Sequence, residues 1–186
     1  QMEAFGAAPE MRLWAMMETS RAVLGADAIG RASRRLAGFV MGTNDLAKEL
    51  RAAHVPGRAP LLTSLSLVVL AARAHGLAAL DSVYADFRDT AGFEVECRQA
   101  VAFGFDGKTL IHPSQIAIAN RAFRPSPQAV AEARRICDAW RKAAAEGRGV
   151  AVLDGRMIER LHAEEAERLL ALDAAIAARP GPDAVS

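Results

Sequence analysis

An α/β fold built on a parallel sheet is the fold class this sequence predicts, and three observations predict it. Short apolar runs alternate with longer amphipathic ones, the pattern of repeated strand-helix units. Helix-opening residues such as Thr43-Asn44-Asp45 and Ser126-Pro127 stand where amphipathic segments begin. The chain has 186 residues, 52% hydrophobic and 24% charged, the balance of a globular protein with an ordinary core.

The first strand reads Leu13 to Thr19, an apolar stretch containing Glu18 near its end. A helix is expected from Ala22 to Arg34, with Val23, Leu24, Ala28 and Ile29 on one face. Leu36 to Gly42 reads as the second strand, and Thr43-Asn44-Asp45 opens a short helix through Leu50. His54 to Pro60 is a loop by its Pro and Gly content, and Leu61 to His75 is an apolar helix closed by Gly76. A third strand, Ala78 to Tyr84, leads to a helix from Gly92 to Phe103, and a brief fourth strand, Thr109 to Ile111, runs into His112-Pro113. A long helix from Ser126-Pro127 to Ala145, one extended piece over Val150 to Leu153 and a final helix from Ala163 to Arg179 complete the chain, with a frayed tail from Pro180 to Ser186.

Composition excludes several classes. The longest apolar run, Leu65 to Ala72, is broken by Ser66 and stopped by Arg73, well short of the ~20 residues a membrane helix needs. A net charge of +1 with interleaved acids and bases leaves no basic stripe for nucleic acid. Cys97 and Cys137 lie far apart with no second Cys or His at ligand spacing, which reads as two buried reduced thiols in a cytoplasmic protein. Gln1 is not an initiator residue and no signal-peptide pattern follows it, so the chain is expected to begin inside a longer protein.

Charged residues just after parallel strands carry the functional information, because α/β folds bind ligands at the carboxyl ends of their strands. Glu18 ends an apolar run containing Trp14, Met16 and Met17, where a carboxylate needs a cation or donors nearby. Asp45 stands one strand-helix unit later, so adjacent parallel strands would bring both to one rim. Two carboxylates suffice for Mg²⁺, which completes its octahedron with water and substrate oxygens. Each acid also has a plain structural alternative: Asp45 complementing its helix N-terminus, Glu18 pairing with Arg21.

Four motifs occur in order: Met16-Met17-Glu18-Thr19, Gly42-Thr43-Asn44-Asp45-Leu46, Asp81-Ser82-Val83-Tyr84-Ala85-Asp86, and Gly104-Phe105-Asp106-Gly107-Lys108-Thr109-Leu110-Ile111-His112-Pro113-Ser114-Gln115. Together they resemble the citrate lyase beta-subunit family, within the aldolase superfamily that also holds malyl-CoA and citramalyl-CoA lyases, over Leu13 to Ala171. The resemblance implies a TIM-type (β/α)8 barrel and Mg²⁺, with Mn²⁺ as a substitute, held by Glu18 and Asp45. It implies that the amides of Gly42, Thr43 and Asn44 receive the carboxylate of a keto acid, which agrees with the anion preference of a helix N-terminus. The reaction implied is carbon-carbon cleavage or condensation of a 3-hydroxyacyl-CoA thioester, in a cytoplasmic homo-oligomer that is a trimer or hexamer.

A proton carrier is implied in the stretch Leu153-Asp154-Gly155-Arg156-Met157-Ile158-Glu159-Arg160, where Glu159 stands in place of the family's aspartate. A surface salt bridge of Glu159 with Arg156 or Arg160 is the competing reading. Ser20 replaces the proline that often follows the first motif. His112 reads as a helix cap, and His54, His75 and His162 as loop or helix-surface residues. Asp81, Tyr84 and Asp86 either hold their loop together or touch substrate.

Only four strand-helix units are present, against the eight and ~250 residues of a closed barrel. Residues 1–124 are therefore expected to be the C-terminal half of a barrel, and 125–186 a helical extension or lid. No counterpart of the family's earlier substrate-binding arginine and CoA-binding segment precedes Leu13. A half barrel exposes two sheet edges and much apolar surface. The resemblance favours a Mg²⁺-dependent lyase, with a thioester hydrolase on the same scaffold or a truncated non-catalytic module as the alternatives.

Overall fold

The computed structural model describes Gly6, Ala8 and residues 10–179; the expectations for Gln1 and for the tail from Pro180 lie outside them. The chain divides into two compact units, Gln1–Phe123 and Arg124–Ser186. Among the described residues no helix is long and apolar enough to cross a membrane.

The first unit is an open parallel sheet with helices on one face. Its strands are β1 (Leu13–Met17), β2 (Leu36–Met41), β3 (Ala78–Asp81) and β4 (Gly107–Lys108), in the spatial order β1-β2-β3-β4. Each pair is parallel, with Met17 beside Met41, Val40 beside Leu80 and Asp81 beside Lys108. Residues of alternate orientation divide the two faces. Met17, Phe39, Met41 and Ala79 join Leu46, Leu61, Leu65, Val68 and Ala72 in the main core. Trp14 and Met16, on the other face, are 48% and 51% exposed. The Trp14 ring lies across Gly38, only 2.4 Å from where a Cβ would stand.

Between β1 and β2 the sequence predicts one helix, Ala22 to Arg34, whereas two short ones form: α1 (Ser20–Leu24) and α2 (Ala26–Gly30). The break falls at Gly25, whose amide closes α1 on Arg21 O while its carbonyl accepts from Ile29. Helix α3 (Thr43–Leu50) follows β2 directly, and α4 (Leu62–Ala74) packs on the sheet through Leu65, Val68 and Ala72. Between them, short 3-10 turns over Pro56–Leu61 are interrupted at Gly57 and Arg58.

Strand β3 stops at Asp81, three residues before the expected Tyr84, because Gln115 captures the Tyr84 carbonyl and the chain turns. Helix α5 (Thr90–Phe103) is capped by Asp89, which accepts from Gly92 N at 2.9 Å, and it ends at left-handed Gly104. The fourth strand is Gly107–Lys108 instead of Thr109 to Ile111. Lys108 is drawn into the sheet by Asp81 at 2.9 Å, while the Ile111 amide is taken by Gln115 Oε1. Helix α6 (Ile116–Phe123) ends this unit.

In the second unit α7 (Pro127–Ala145) starts at Ser126, whose Oγ accepts from Ala129 N at 3.1 Å. The single extended piece expected after it is an antiparallel hairpin, β5 (Ala151–Leu153) with β6 (Arg156–Ile158). Asp154 and Gly155 turn it with φ of 51° and 74°, the left-handed pair a tight hairpin requires. Helix α8 (Arg160–Ala177) begins three residues before the expected Ala163, because His162 Nδ1 accepts from the Glu159 amide at 3.0 Å. Cys137 packs with Ala133 and Ala166, and Cys97 with Phe93 and Ala119; both thiols are free and buried.

Phe39 is fully buried at the centre of the first unit. Phe39→Ala should destabilise the unit by about 3–5 kcal/mol, read as a lowered denaturation midpoint; an unchanged midpoint would refute this placement of the core.

Candidate active site

The carboxyl ends of β1 and β2 form one rim. Gly42 N donates to Met17 O at 3.2 Å, continuing the ladder by one residue and setting Glu18 beside Gly42. A Cβ on Gly42 would lie 2.4 Å from Glu18 Cβ and 3.0 Å from its Oε2, so the half-buried carboxylate rests directly on the glycine backbone. The expected alternative partner, Arg21, is not engaged: among the described residues the Glu18 side chain makes no hydrogen bond or ion pair. Thr19 Oγ1 instead caps α1, accepting from Ala22 N at 3.1 Å.

Helix α3 starts on the same rim. Its first intrahelical bond runs from Leu46 N to Gly42 O at 3.1 Å, which leaves the Thr43, Asn44 and Asp45 amides without helical partners. Gly42 supplies no side-chain cap. Asp45 is exposed in the first turn and its carboxylate makes no hydrogen bond or ion pair among the described residues. Among the described residues, two unengaged carboxylates and three amides without helical partners thus follow the adjacent ends of β1 and β2. Among the described residues no cluster of three or more His, Cys, Asp and Glu could hold a metal; the pair matches the one or two carboxylates Mg²⁺ takes beside water and ligand oxygens.

A cavity of about 630 Å³ opens beside Thr43 and Asn44. One wall is the segment from His54 to Leu61, the other runs from Val83 to Asp89, and Val95 and Gln99 of α5 close its side. Asp81, expected at the open rim, is completely buried behind it: both its oxygens accept from Arg58 Nη1 at 2.8 Å, and Oδ2 also accepts from Lys108 Nζ at 2.9 Å. Lys108 reaches Glu96 Oε1 at 2.6 Å as well. Arg58, Lys108 and Glu96 escaped sequence reasoning, since their partners come from four separate segments; Asp81 at a strand end was the one visible sign.

Tyr84 and Asp86 hold their loop. The Tyr84 hydroxyl donates to Asp89 Oδ2 at 2.6 Å, and Asp86 Oδ1 accepts from Arg88 N at 3.1 Å. The bond to Asp89, with burial and neighbouring carboxylates, pushes the phenol up to about 12, while the hydrogen bonds from Tyr84 and the Gly92 amide hold the Asp89 carboxyl below its ordinary value. His112 is a cap, its Nδ1 accepting from Ser114 N at 3.2 Å while the ring stacks on Phe87 at 4.5 Å. His54 is exposed on the cavity wall, and His75 pairs with Asp27 at 2.9 Å. Burial raises the Cys97 thiol to about 11, too high for a nucleophile at neutral pH.

Glu159 lies in the second unit, half-buried at the N-cap of α8. Neither expected salt bridge forms, because Arg156 turns to Glu132 and Arg160 to Glu164.

The family described as HpcH/HpaI aldolase/citrate lyase matches residues 2–113, and the chain belongs to it. A (3S)-malyl-CoA thioesterase of Cereibacter sphaeroides is 51% identical over 170 residues, 91% of this chain and 59% of the relative. Citrate lyase subunit beta of Escherichia coli is 37% identical over 147 residues, 79% of this chain and 49% of the relative. The crystal structure of CitE from Mycobacterium tuberculosis in complex with magnesium, acetoacetate and coenzyme A superposes with a TM-score of 0.75 and 33% identity, covering 91% of this chain and 63% of that one. The chain therefore spans about half to three-fifths of the length of these relatives.

Tyr84 is the one tyrosine of the chain, so absorbance reads its ionisation alone. The midpoint should lie at about 12 and fall toward 10 in Asp89→Asn. Because the folded phenol is the weaker acid, its contribution to stability is present below pH 10 and is lost as pH rises from there through about 12. A wild-type midpoint near 10 would contradict the Tyr84–Asp89 contact.

Proposed function

We propose that this chain carries the metal-binding rim of a Mg²⁺-dependent enzyme acting on a malyl-CoA-like thioester, and that its reaction is hydrolysis of the thioester. The single observation behind the reading is the rim itself, with Glu18 seated on Gly42 beside the open start of α3. On this reading the four strands are half of a TIM-type barrel and the second unit is its extension or lid. The identity of 51% to a malyl-CoA thioesterase, against 37% to a citrate lyase subunit, favours hydrolysis over carbon-carbon cleavage. Cleavage to a keto acid and an acyl-CoA is the second reading, favoured by the family and by the magnesium and acetoacetate of the CitE complex.

Glu18 and Asp45 would hold the ion, whose chemistry there is that of a Lewis acid on substrate oxygen. The Thr43, Asn44 and Asp45 amides would receive a substrate carboxylate, in place of the expected Gly42, Thr43 and Asn44, because the Gly42 amide is taken by Met17 O and the positive end of α3 favours an anion. Those fixed donors cost no reorganisation when charge develops. In hydrolysis Glu159 would take a proton from water as its oxygen bonds to the thioester carbon; the carbon-sulfur bond breaks and the thiolate takes up a proton. In the lyase direction the same carboxyl would protonate the enolate carbon. A homo-oligomer, trimeric or hexameric, belongs to the same reading.

Malyl-CoA with Mg²⁺ should yield free CoA and malate. Glyoxylate and acetyl-CoA in place of those products would establish the lyase and overturn hydrolysis. Glu18→Gln and Asp45→Asn should each lower turnover by about 10²-fold or more with the fold retained; full activity in either variant would remove that acid from the site. Unchanged activity in Glu159→Gln would remove Glu159 from the mechanism.

A further inference from the structure

We propose that Arg58 is a positioning residue: it clamps the His54–Leu61 segment to β3 and α5, sets that wall of the cavity beside Thr43 and Asn44, and so governs how substrate, not metal, is held. The substrate half of this inference rests on the functional reading above.

Three unfavourable features meet at this one residue. Arg58 follows Gly57 in the left-handed region, with φ of 57° after 74°, a conformation that a glycine adopts freely and an arginine does not. Its guanidinium is withdrawn from water, the residue being only 7% exposed. Among the described residues its Nη2 is buried with no hydrogen-bond partner, where an orphaned donor loses its hydration without compensation. Buried ion pairs of this kind are seldom more stabilising than an apolar core of the same volume. What they do supply is a fixed geometry.

That geometry is complete on the other edges of the guanidinium. Nη1 donates to both oxygens of Asp81 at the end of β3, each at 2.8 Å. Nε donates to Gln99 Oε1 of α5 at 2.8 Å, and Glu96 Oε2 lies 3.6 Å from it. Gln99 Nε2 donates in turn to Gly57 O at 2.8 Å, so side chain and backbone of the same turn are tied to one helix. Lys108 bridges Asp81 and Glu96 from β4, leaving two cations and two anions in balance. A lysine at position 58 could not make these contacts together, because they use the planar fork.

The clamped segment borders the candidate substrate space. Val55, Pro56, Gly57 and Leu61 line the cavity, and Leu61 is anchored in the core that holds Leu46 and Ala47 of α3. Leu61 therefore fixes one end of the wall and Arg58 its middle. Among the described residues neither Glu18 nor Asp45 makes a hydrogen bond or ion pair with this cluster, so the wall and the candidate metal rim can be perturbed separately.

Arg58→Gln and Arg58→Lys, made in the protein and compared with wild type, test this by malyl-CoA kinetics, Mn²⁺ affinity and amide exchange over residues 54–61. In Arg58→Gln, KM should rise about tenfold or more with kcat changed less than about threefold, Mn²⁺ affinity unchanged and exchange over 54–61 accelerated. Arg58→Lys should recover only part of the KM. Should Arg58→Gln not fold, Gln99→Ala removes the tie from outside the ion pairs and should show the same split at smaller size. Wild-type exchange rates over 54–61 in the variants overturn the clamp, and KM, kcat and Mn²⁺ affinity failing together overturn the positioning role. If wild type turns over no malyl-CoA, the functional reading fails, while the exchange and Mn²⁺ arms still decide the clamp.

Discussion

The parallel register between β1 and β2 is the constraint on which the rest of the candidate site depends. Met17 opposite Met41 puts both side chains into the core on the helix side of the sheet, and the next step of the ladder sets Glu18 beside Gly42. A slip of one residue would turn Met17 out of the core and carry Glu18 away from its neighbour, so burial of Met17, Phe39 and Met41 is what specifies the rim. Glycine at position 42 completes the arrangement, because any side chain there would occupy the space that Glu18 fills. Helix α3 begins at the next residue and leaves its first amides free at the same strand end.

A second kind of constraint shapes the cavity beyond that rim. The rim is held by apolar burial, whereas the walls are held by polar contacts. Arg58 and Gln99 tie down one wall. Gln115, itself buried, holds the Tyr84 carbonyl of the other, and Asp89 fixes both the Tyr84 hydroxyl and the start of α5. Gly92 has no room for a side chain beside Asp89 and Tyr84. Such contacts are directional, so they set distances that a close-packed apolar cluster leaves free to adjust. A binding surface needs that definition at the expense of some stability.

Much of the first unit was legible because its signals are local. Thr43-Asn44-Asp45 marks the start of α3 at the residue where it begins, and Ser126-Pro127 does the same for α7. Glu18 and Asp45 were legible as strand-end acids in a parallel fold. The failures have physical causes. Gly25 splits a continuous apolar face that periodicity alone reads as one helix. Lys108 enters the sheet where apolar Leu110 and Ile111 were expected to, because a buried countercharge from Asp81 outweighs hydropathy. Asp154-Gly155 is a hairpin signal in plain view that the reading of one extended piece passed over. The Arg58 cluster joins residues up to 50 positions apart, and nothing in the spacing of Arg58, Asp81, Glu96 and Lys108 announces it.

The most direct measurement is a double-substitution cycle on divalent-ion affinity, with Mn²⁺ binding followed by its paramagnetic resonance in wild type, Glu18→Gln, Asp45→Asn and the pair combined. One ion held jointly by the two carboxylates predicts one strong site per chain in wild type. It also predicts that either substitution weakens that site greatly and that the second adds little more. Independent, additive losses, or wild-type affinity in either single variant, would contradict a shared ion at the β1–β2 rim.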